Sequence, residues 1–142
     1  MAVVAAIDMD GRILSLVLNP KSIKAFSFTE FMDKVAINLN PGPAHMLVDN
    51  LRMHHSFIIK AHAKSHGINL LYNPKYSPIF NPIEGLWAYA KRIFSRHCIN
   101  DTNFNDVGVI FRLVKESIEA VPAAYLRGRI RRSLIDMKSC VN

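Results

Sequence analysis

His45-Met46-Leu47-Val48-Asp49-Asn50-Leu51-Arg52-Met53-His54 and Asn73-Pro74-Lys75-Tyr76-Ser77-Pro78-Ile79-Phe80-Asn81-Pro82-Ile83-Glu84-Gly85-Leu86-Trp87 decide how this chain is read. The first stretch is a short apolar run that stops at an acid, the pattern of a buried strand with Asp49 at its carboxyl end. The second is an extended, proline-containing loop that runs into Asn81-Pro82, an N-cap followed by a first helical residue. That places Glu84 in the first turn of a helix. Between the two acids lie 34 residues. An aspartate ending a strand and a glutamate opening a helix can point into one cleft, where they repel unless a divalent cation lies between them. The pattern is part of a metal-dependent phosphoryl-transfer site, and such sites usually need a third carboxylate.

Working outward, residues 2–7 and 12–18 are rich in Val, Ile and Leu and are separated by Asp8-Met9-Asp10-Gly11, a hairpin signal. Phe28, Phe31, Met32, Val35 and Leu39 recur at helical spacing and predict a helix over 27–39. Pro41-Gly42-Pro43 ends it, and 45–48 is the strand that leads to Asp49. A second helix over 55–66 contains Phe57, Ile58, Ala61 and Ala63 and stops at Gly67. Ile68–Tyr72 is another strand. The helix after Asn81 buries Ile83, Trp87, Ala90 and Phe94, helped by Leu86 and Ile93. Two more helices follow, over 105–120 with Val107, Ile110, Phe111, Val114 and Ile118 inward, and over 122–138 with Leu126, Ile130, Leu134 and Met137 inward and a basic outer face. The order predicts an α/β domain with a mixed sheet flanked by helices. We expect a single domain over 1–142, with a core over 1–97 and a helical basic tail over 98–142.

Composition narrows the partners. The chain has 142 residues, half of them hydrophobic, so it can bury a core and is not a disordered segment. Its net charge is +7, which favours an anionic partner, with nucleic acid ahead of membrane. Residues 1–85 carry eight basic and six acidic side chains, against ten and five in 86–142, so the basic excess follows Glu84. Cys98 and Cys140 are isolated, which predicts reduced thiols in an intracellular protein. No apolar run approaches a membrane span. The start lacks a basic segment and meets Asp8 too early for a signal peptide, so it reads as a strand.

Each candidate also has a plainer reading. Asp49-Asn50 alone is a turn into the next helix, though Asn50 could equally hold the carboxylate or a ligand phosphate. Glu84 at the third helical position could simply complete a capping box with Asn81. That reading leaves the long irregular loop before it unexplained. His62 and His66 have H-x-x-x-H spacing, but zinc would need a third ligand and no Glu follows His62, so a solvated face is expected. Lys91 and Arg92 lie about two turns beyond Glu84 on roughly its side and suit DNA phosphates or open solvent equally. Arg127, Arg129, Arg131 and Arg132 suit DNA backbone contact, nuclear targeting or a solvated face.

Taken together, Leu47-Val48-Asp49-Asn50 with His54, Pro74-x-Tyr76-Ser77-Pro78, and Asn81-Pro82-Ile83-Glu84-x-x-Trp87-x-x-x-Lys91 resemble a Tc/mariner-type DDE transposase, a superfamily shared with bacterial insertion-sequence transposases. The interval between the acids matches the Tc branch, while Leu51 stands where that family has a small residue. The resemblance covers most of the chain. It implies a ribonuclease H-like fold in which three carboxylates hold two Mg²⁺ (or Mn²⁺) ions for DNA cleavage and strand transfer. By position, Asp49 resembles the second acid and Glu84 the third, both as catalytic residues and metal ligands. Asn50, His54, Asn81 and Trp87 resemble supporting residues. The implied partners are transposon ends and target DNA, with a homodimer or pairing to an intact transposase, and the nucleus as the site of action in a eukaryote.

Aligned on Asp10-Gly11 and on Asn81–Trp87, residue 1 falls just after the strand that carries the family's first aspartate. The expectation is therefore a sheet lacking its first central strand, with no amino-terminal helix-turn-helix domains and impaired catalysis. The remaining strands would either leave a gap or re-pair. Asp8 or Asp10 could stand in for the first acid, although a hairpin turn also accounts for both. A non-catalytic nucleic-acid-binding or assembly module is the alternative.

Overall fold

An Asp-Gly turn can fold the chain back on itself only if glycine takes the left-handed conformation, and Gly11 does so with φ of 78°. The hairpin it closes joins β1 (Ala2–Ile7) to β2 (Ile13–Asn19). The two run antiparallel from Ala2 opposite Asn19 to Ala6 opposite Ser15, with a register shift before Ile7 meets Ile13. In this computed structural model, residues 1–75, 77–100 and 106–140 are described. Tyr76 lies outside them, as does the predicted helix start at residue 105. Two compact units result, one comprising Met1–Ile7 with Ile13–Asn81, the other Asp8–Arg12 with Pro82–Asn142.

In the first unit, helix α1 (Ala25–Asn38) lays Phe28, Phe31, Met32 and Val35 on one side, the three-and-four spacing of a buried stripe. That stripe closes on Ile59 and Ala63 of α2 (Phe57–Ser65) and on Ile68 of β4 (Ile68–Tyr72). Val4 and Ala6 of β1 and Leu14 and Val17 of β2 complete the apolar contact. Asn38 donates its side-chain amide to the Leu14 carbonyl at 3.0 Å, tying the end of α1 to β2. Strand β3 (Ala44–Val48) runs parallel to β4, from Ala44 beside Ile68 to Val48 beside Tyr72. Parallel pairing needs a crossover, and α2 supplies it.

Among the described residues no ladder joins the β1–β2 pair to the β3–β4 pair; they are separate two-stranded sheets. Of the two expected outcomes, a gap or re-pairing, the described strands show no re-pairing into one mixed sheet.

The second unit is helical. Helix α3 (Ile83–Asn100) buries Leu86 and Ala90, α4 (Val107–Glu119) buries Leu113, Ser117 and Ile118, and α5 (Ala123–Ser139) buries Leu126, Ile130 and Ser133. The Ser117 hydroxyl donates to the Leu113 carbonyl at 2.6 Å, so its burial leaves no polar group orphaned. Asp106 caps α4 by accepting from Gly108 N at 2.7 Å. The hairpin tip belongs here as well. A Cβ on Gly11 would lie 2.3 Å from the Ala123 carbonyl oxygen, so this turn tolerates no side chain where it meets the start of α5.

Two inward assignments shift. Val107 is 62% exposed and Leu134 is 41% exposed, while Leu113 and Ser133 take the inward positions. In α2, Ile59 and Ala63 are buried and Phe57 is 84% exposed. A 3₁₀ turn at Arg52–His55 precedes the helix, which starts at Phe57 rather than at residue 55. Among the described residues no helix is long and apolar enough to cross a membrane, and Cys98 and Cys140 are free thiols.

The division of labour in α2 has a measurable consequence. Ile59→Ala should destabilise the chain by about 2–4 kcal/mol through lost burial and a residual cavity, while Phe57→Ser should change stability by less than about 0.5 kcal/mol. Urea unfolding followed by circular dichroism measures both.

Candidate active site

Asp49 follows the last residue of β3 and is held from behind by an imidazole. His54 Nδ1 lies 2.8 Å from Asp49 Oδ1 and 3.2 Å from the Asp49 carbonyl oxygen. Both partners are acceptors, so the Nδ1 proton belongs on this side of the ring. The His54 side chain is 7% exposed and that of Asp49 is 50% exposed, so the contact runs from the interior to an open carboxylate. The Phe28 ring lies 4.6 Å from the imidazole, and the Tyr72 hydroxyl donates to the His54 carbonyl at 3.0 Å. The Leu51 N–H also donates to Asp49 Oδ1, at 3.3 Å. Among the described residues these contacts engage Oδ1 alone. The carboxylate is thus fixed through one oxygen while Oδ2 remains available to a ligand.

The residues around Asp49 divide into two layers. Asn50 accepts through its Oδ1 from His55 Nε2 at 2.5 Å, and the His55 ring stacks on Tyr72 at 4.2 Å. Asn50 is therefore anchored to its neighbours in the helix-entry turn. Beyond the paired strands, Asn73 N–H donates to the Val48 carbonyl at 2.8 Å and extends the ladder by one bond. Its side chain is buried and donates to the Ser77 carbonyl at 2.7 Å, bracing the loop that leads to Asn81.

Glu84 sits in the first turn of α3, whose assigned start at Ile83 is one residue later than Asn81-Pro82 predicts. The Asn81 N–H donates to the Pro78 carbonyl at 2.9 Å, closing a 3₁₀ turn at Pro78–Phe80. A capping box would need that same N–H, so the simple capping role for Glu84 is corrected. Its carboxylate is exposed and, among the described residues, carries no hydrogen bond or ion pair. The next residue, Gly85, is buried beneath Arg129 of α5, whose Cγ would stand 2.8 Å from an added Cβ. One basic stem of the tail therefore lies across the turn that carries Glu84. Trp87 is half-buried, and Leu86 provides the fully buried anchor of this helix. Lys91 and Arg92 are exposed, with the Arg92 guanidinium 4.8 Å from the Tyr89 ring centre.

The model of the family described as DDE superfamily endonuclease matches residues 1–105. The chain belongs to that family. Among solved structures, the catalytic domain of Mos1 mariner transposase is similar, with a TM-score of 0.74 at 15% identity over 98% of this chain and 71% of that one. Two structures of the same catalytic domain with Raltegravir, one with Mn and one with Mg, give the same TM-score and identity over 72% of their length. These likenesses carry the fold, which is ribonuclease H-like as the resemblance implied. No curated protein matches the chain.

In this DDE endonuclease chain the alternative acids are accounted for by the hairpin. Asp8 accepts from Arg12 Nε at 2.6 Å, from Arg12 N at 2.8 Å and from Asp10 N at 3.0 Å. Asp10 is exposed at the turn. In α5 the arginines at 127, 129, 131 and 132 are all exposed around the buried Leu126–Ile130–Ser133 stripe, and Arg132 pairs with Asp136 at 3.3 Å.

The face of His62 and His66 is partly open to solvent and also carries a partner. Both rings contact Asp33 of α1, at 2.7 and 2.8 Å. The hydrogen bond from His62, followed by that from His66, holds the Asp33 carboxyl below the usual aspartate range. Spacing within one helix could not reveal a partner on another. The His55–Tyr72 stack was equally out of reach, because it joins the turn after β3 to the last residue of β4.

An open groove of about 410 Å³ between α2 and β4 is lined by Lys60, Lys64 and Tyr72 among others and contains neither acid.

Because His54 is buried on an aromatic ring and also holds Asp49, His54→Ala should destabilise the chain by about 2–4 kcal/mol. His55→Ala, at an exposed stack, should cost about 1 kcal/mol or less. Thermal and urea unfolding of the two variants would test the order.

Proposed function

We propose that this chain carries out DDE-type DNA transposition chemistry, the metal-dependent cleavage and joining of DNA strands at transposon ends and target, with Asp49 and Glu84 as its metal-binding acids. The single observation that carries the reading is the Asp49 carboxylate, locked through one oxygen by buried His54 and left open at the other. A solvated turn residue needs no buried imidazole to orient it. Glu84 supports the same reading as an exposed carboxylate with no ion pair among the described residues, the Asn81 N–H that a capping box would use being bound to the Pro78 carbonyl.

The donor set consists of hard carboxylate oxygens and fits Mg²⁺ or Mn²⁺. Two such ions, when bound, would activate a water or a DNA 3′-hydroxyl and stabilise the leaving oxygen. The chain's own residues supply the rest. His54 keeps Asp49 in one rotamer, Asn50 stiffens the turn beneath it, Asn81 and Trp87 support the helix of Glu84, and Lys91 and Arg92 offer cations to DNA phosphates. The same proposal includes a homodimer or pairing with an intact transposase.

The chain acting alone is proposed to be catalytically impaired. Asp8, one of the two possible substitutes for a third acid, is committed to Arg12, and Asp10 is a turn residue. A second reading is favoured by the exposed arginines of α5, namely a non-catalytic module that binds nucleic acid through 127, 129 and 131.

Supercoiled plasmid incubated with the chain in Mn²⁺ should be nicked slowly, and Asp49→Ala or Glu84→Ala should lower the rate at least about tenfold while leaving the fold intact. Metal-independent binding with a steep salt dependence, unaffected by either substitution but weakened by Arg129→Ala and Arg131→Ala, would replace this reading with the module.

A further inference from the structure

We propose that Asp33, His62 and His66 form a transition-metal site, most suited to Zn²⁺, that clips α1 to α2 and is distinct from the carboxylates of the proposed DNA chemistry. His62 lies in the last turn of α2 and His66 is its C-cap, so the two imidazoles project from one side of the helix end. Their ring centres are 4.9 Å apart with the planes at 64°, and the Nε2 of each ring converges on the same oxygen, Asp33 Oδ1. The three donor atoms all lie within 4.8 Å of one another. Ligands at tetrahedral zinc distances of about 2.0–2.1 Å stand roughly 3.3 Å apart, so the rings and the carboxylate need only small rotations to admit an ion.

The chemistry of the donors selects the metal. Two imidazole nitrogens and one carboxylate oxygen suit Zn²⁺, Ni²⁺ or Co²⁺, whereas Mg²⁺ prefers oxygen ligands and several waters. Three protein ligands leave a fourth position for water. The site is also accessible, since the side chains of Asp33, His62 and His66 are 48%, 28% and 32% exposed. The metal-free alternative is an aspartate accepting two hydrogen bonds, and it satisfies the same distances. What favours a metal is convergence, because two rings from one helix end aim their Nε2 atoms at a single carboxylate oxygen on another helix. An ion there would join helices that are 29 residues apart in sequence at Asp33 and His62. It would bind the folded state alone and so raise its stability by mass action.

Isothermal titration of the full chain with ZnCl₂ tests the site, with long-range nitrogen–proton NMR of the imidazoles as a second readout. The expected result is a single equivalent bound, with the Nε2 resonances of His62 and His66 both shifting and the thermal midpoint rising. His62→Gln, His66→Gln and Asp33→Asn should each weaken binding about tenfold or more, and Asp49→Asn with Glu84→Gln should leave it unchanged. Absence of saturable Zn²⁺ binding would overturn the proposal. So would binding that survives the triad substitutions but is lost with Asp49→Asn, because the ion would then belong to the other site. Should a substituted protein fail to fold, the NMR shifts on the unmodified chain decide: movement of the two Nε2 signals supports the site, and unmoved signals overturn it.

Discussion

The buried imidazole of His54 gives its Nδ1 to Asp49, the residue that follows β3. The ring is pressed against Phe28 of α1, while its backbone carbonyl accepts from Tyr72, the last residue of β4. One residue thus connects the principal helix of the first unit, both parallel strands and the open carboxylate. Loss of that contact would free Asp49 to rotate at the mouth of a two-stranded ladder. The stiffness of the acid is therefore inherited from the packing of α1, and the site cannot be assessed apart from the core behind it.

The sequence exposed the local features of this arrangement well. The hairpin at Gly11, the stripe on α1, the strand before Asp49 and the helix after Pro82 all follow from short-range patterns, and the two acids sit in motifs dense enough to point to the DDE endonucleases. What the patterns missed depends on neighbours distant in the chain. The inward faces of α4 and α5 moved because a periodic apolar pattern fixes a stripe only to within a residue or so. A small buried serine such as Ser133 can then take an inward position. The capping role first open to Glu84 was removed by Pro78, whose carbonyl takes the Asn81 N–H before the helix begins.

Histidines illustrate the same limit most clearly. In the sequence, 54, 55, 62 and 66 look like a single cluster of polar residues. In the fold they have separate duties: one is buried and orients an acid, one stacks on Tyr72, and two meet Asp33. Spacing along a helix reveals which of them share a face, but it is silent on what the next helix offers to that face. The partner aspartate on α1 carries no motif of its own, so only the packing of α1 against α2 identifies it.

The hairpin tip has a consequence for how this chain is made. Its strands belong to the first unit, yet Asp8–Arg12 belongs to the second, where Gly11 fits against the carbonyl of Ala123. A ribosome releases the tip early and Ala123 late. The hairpin tip must therefore wait for Ala123 before its glycine meets the carbonyl it fits against. The strands of the first unit can pair as soon as residue 81 is made, whereas the turn between them is completed only by long-range closure against a helix synthesised much later.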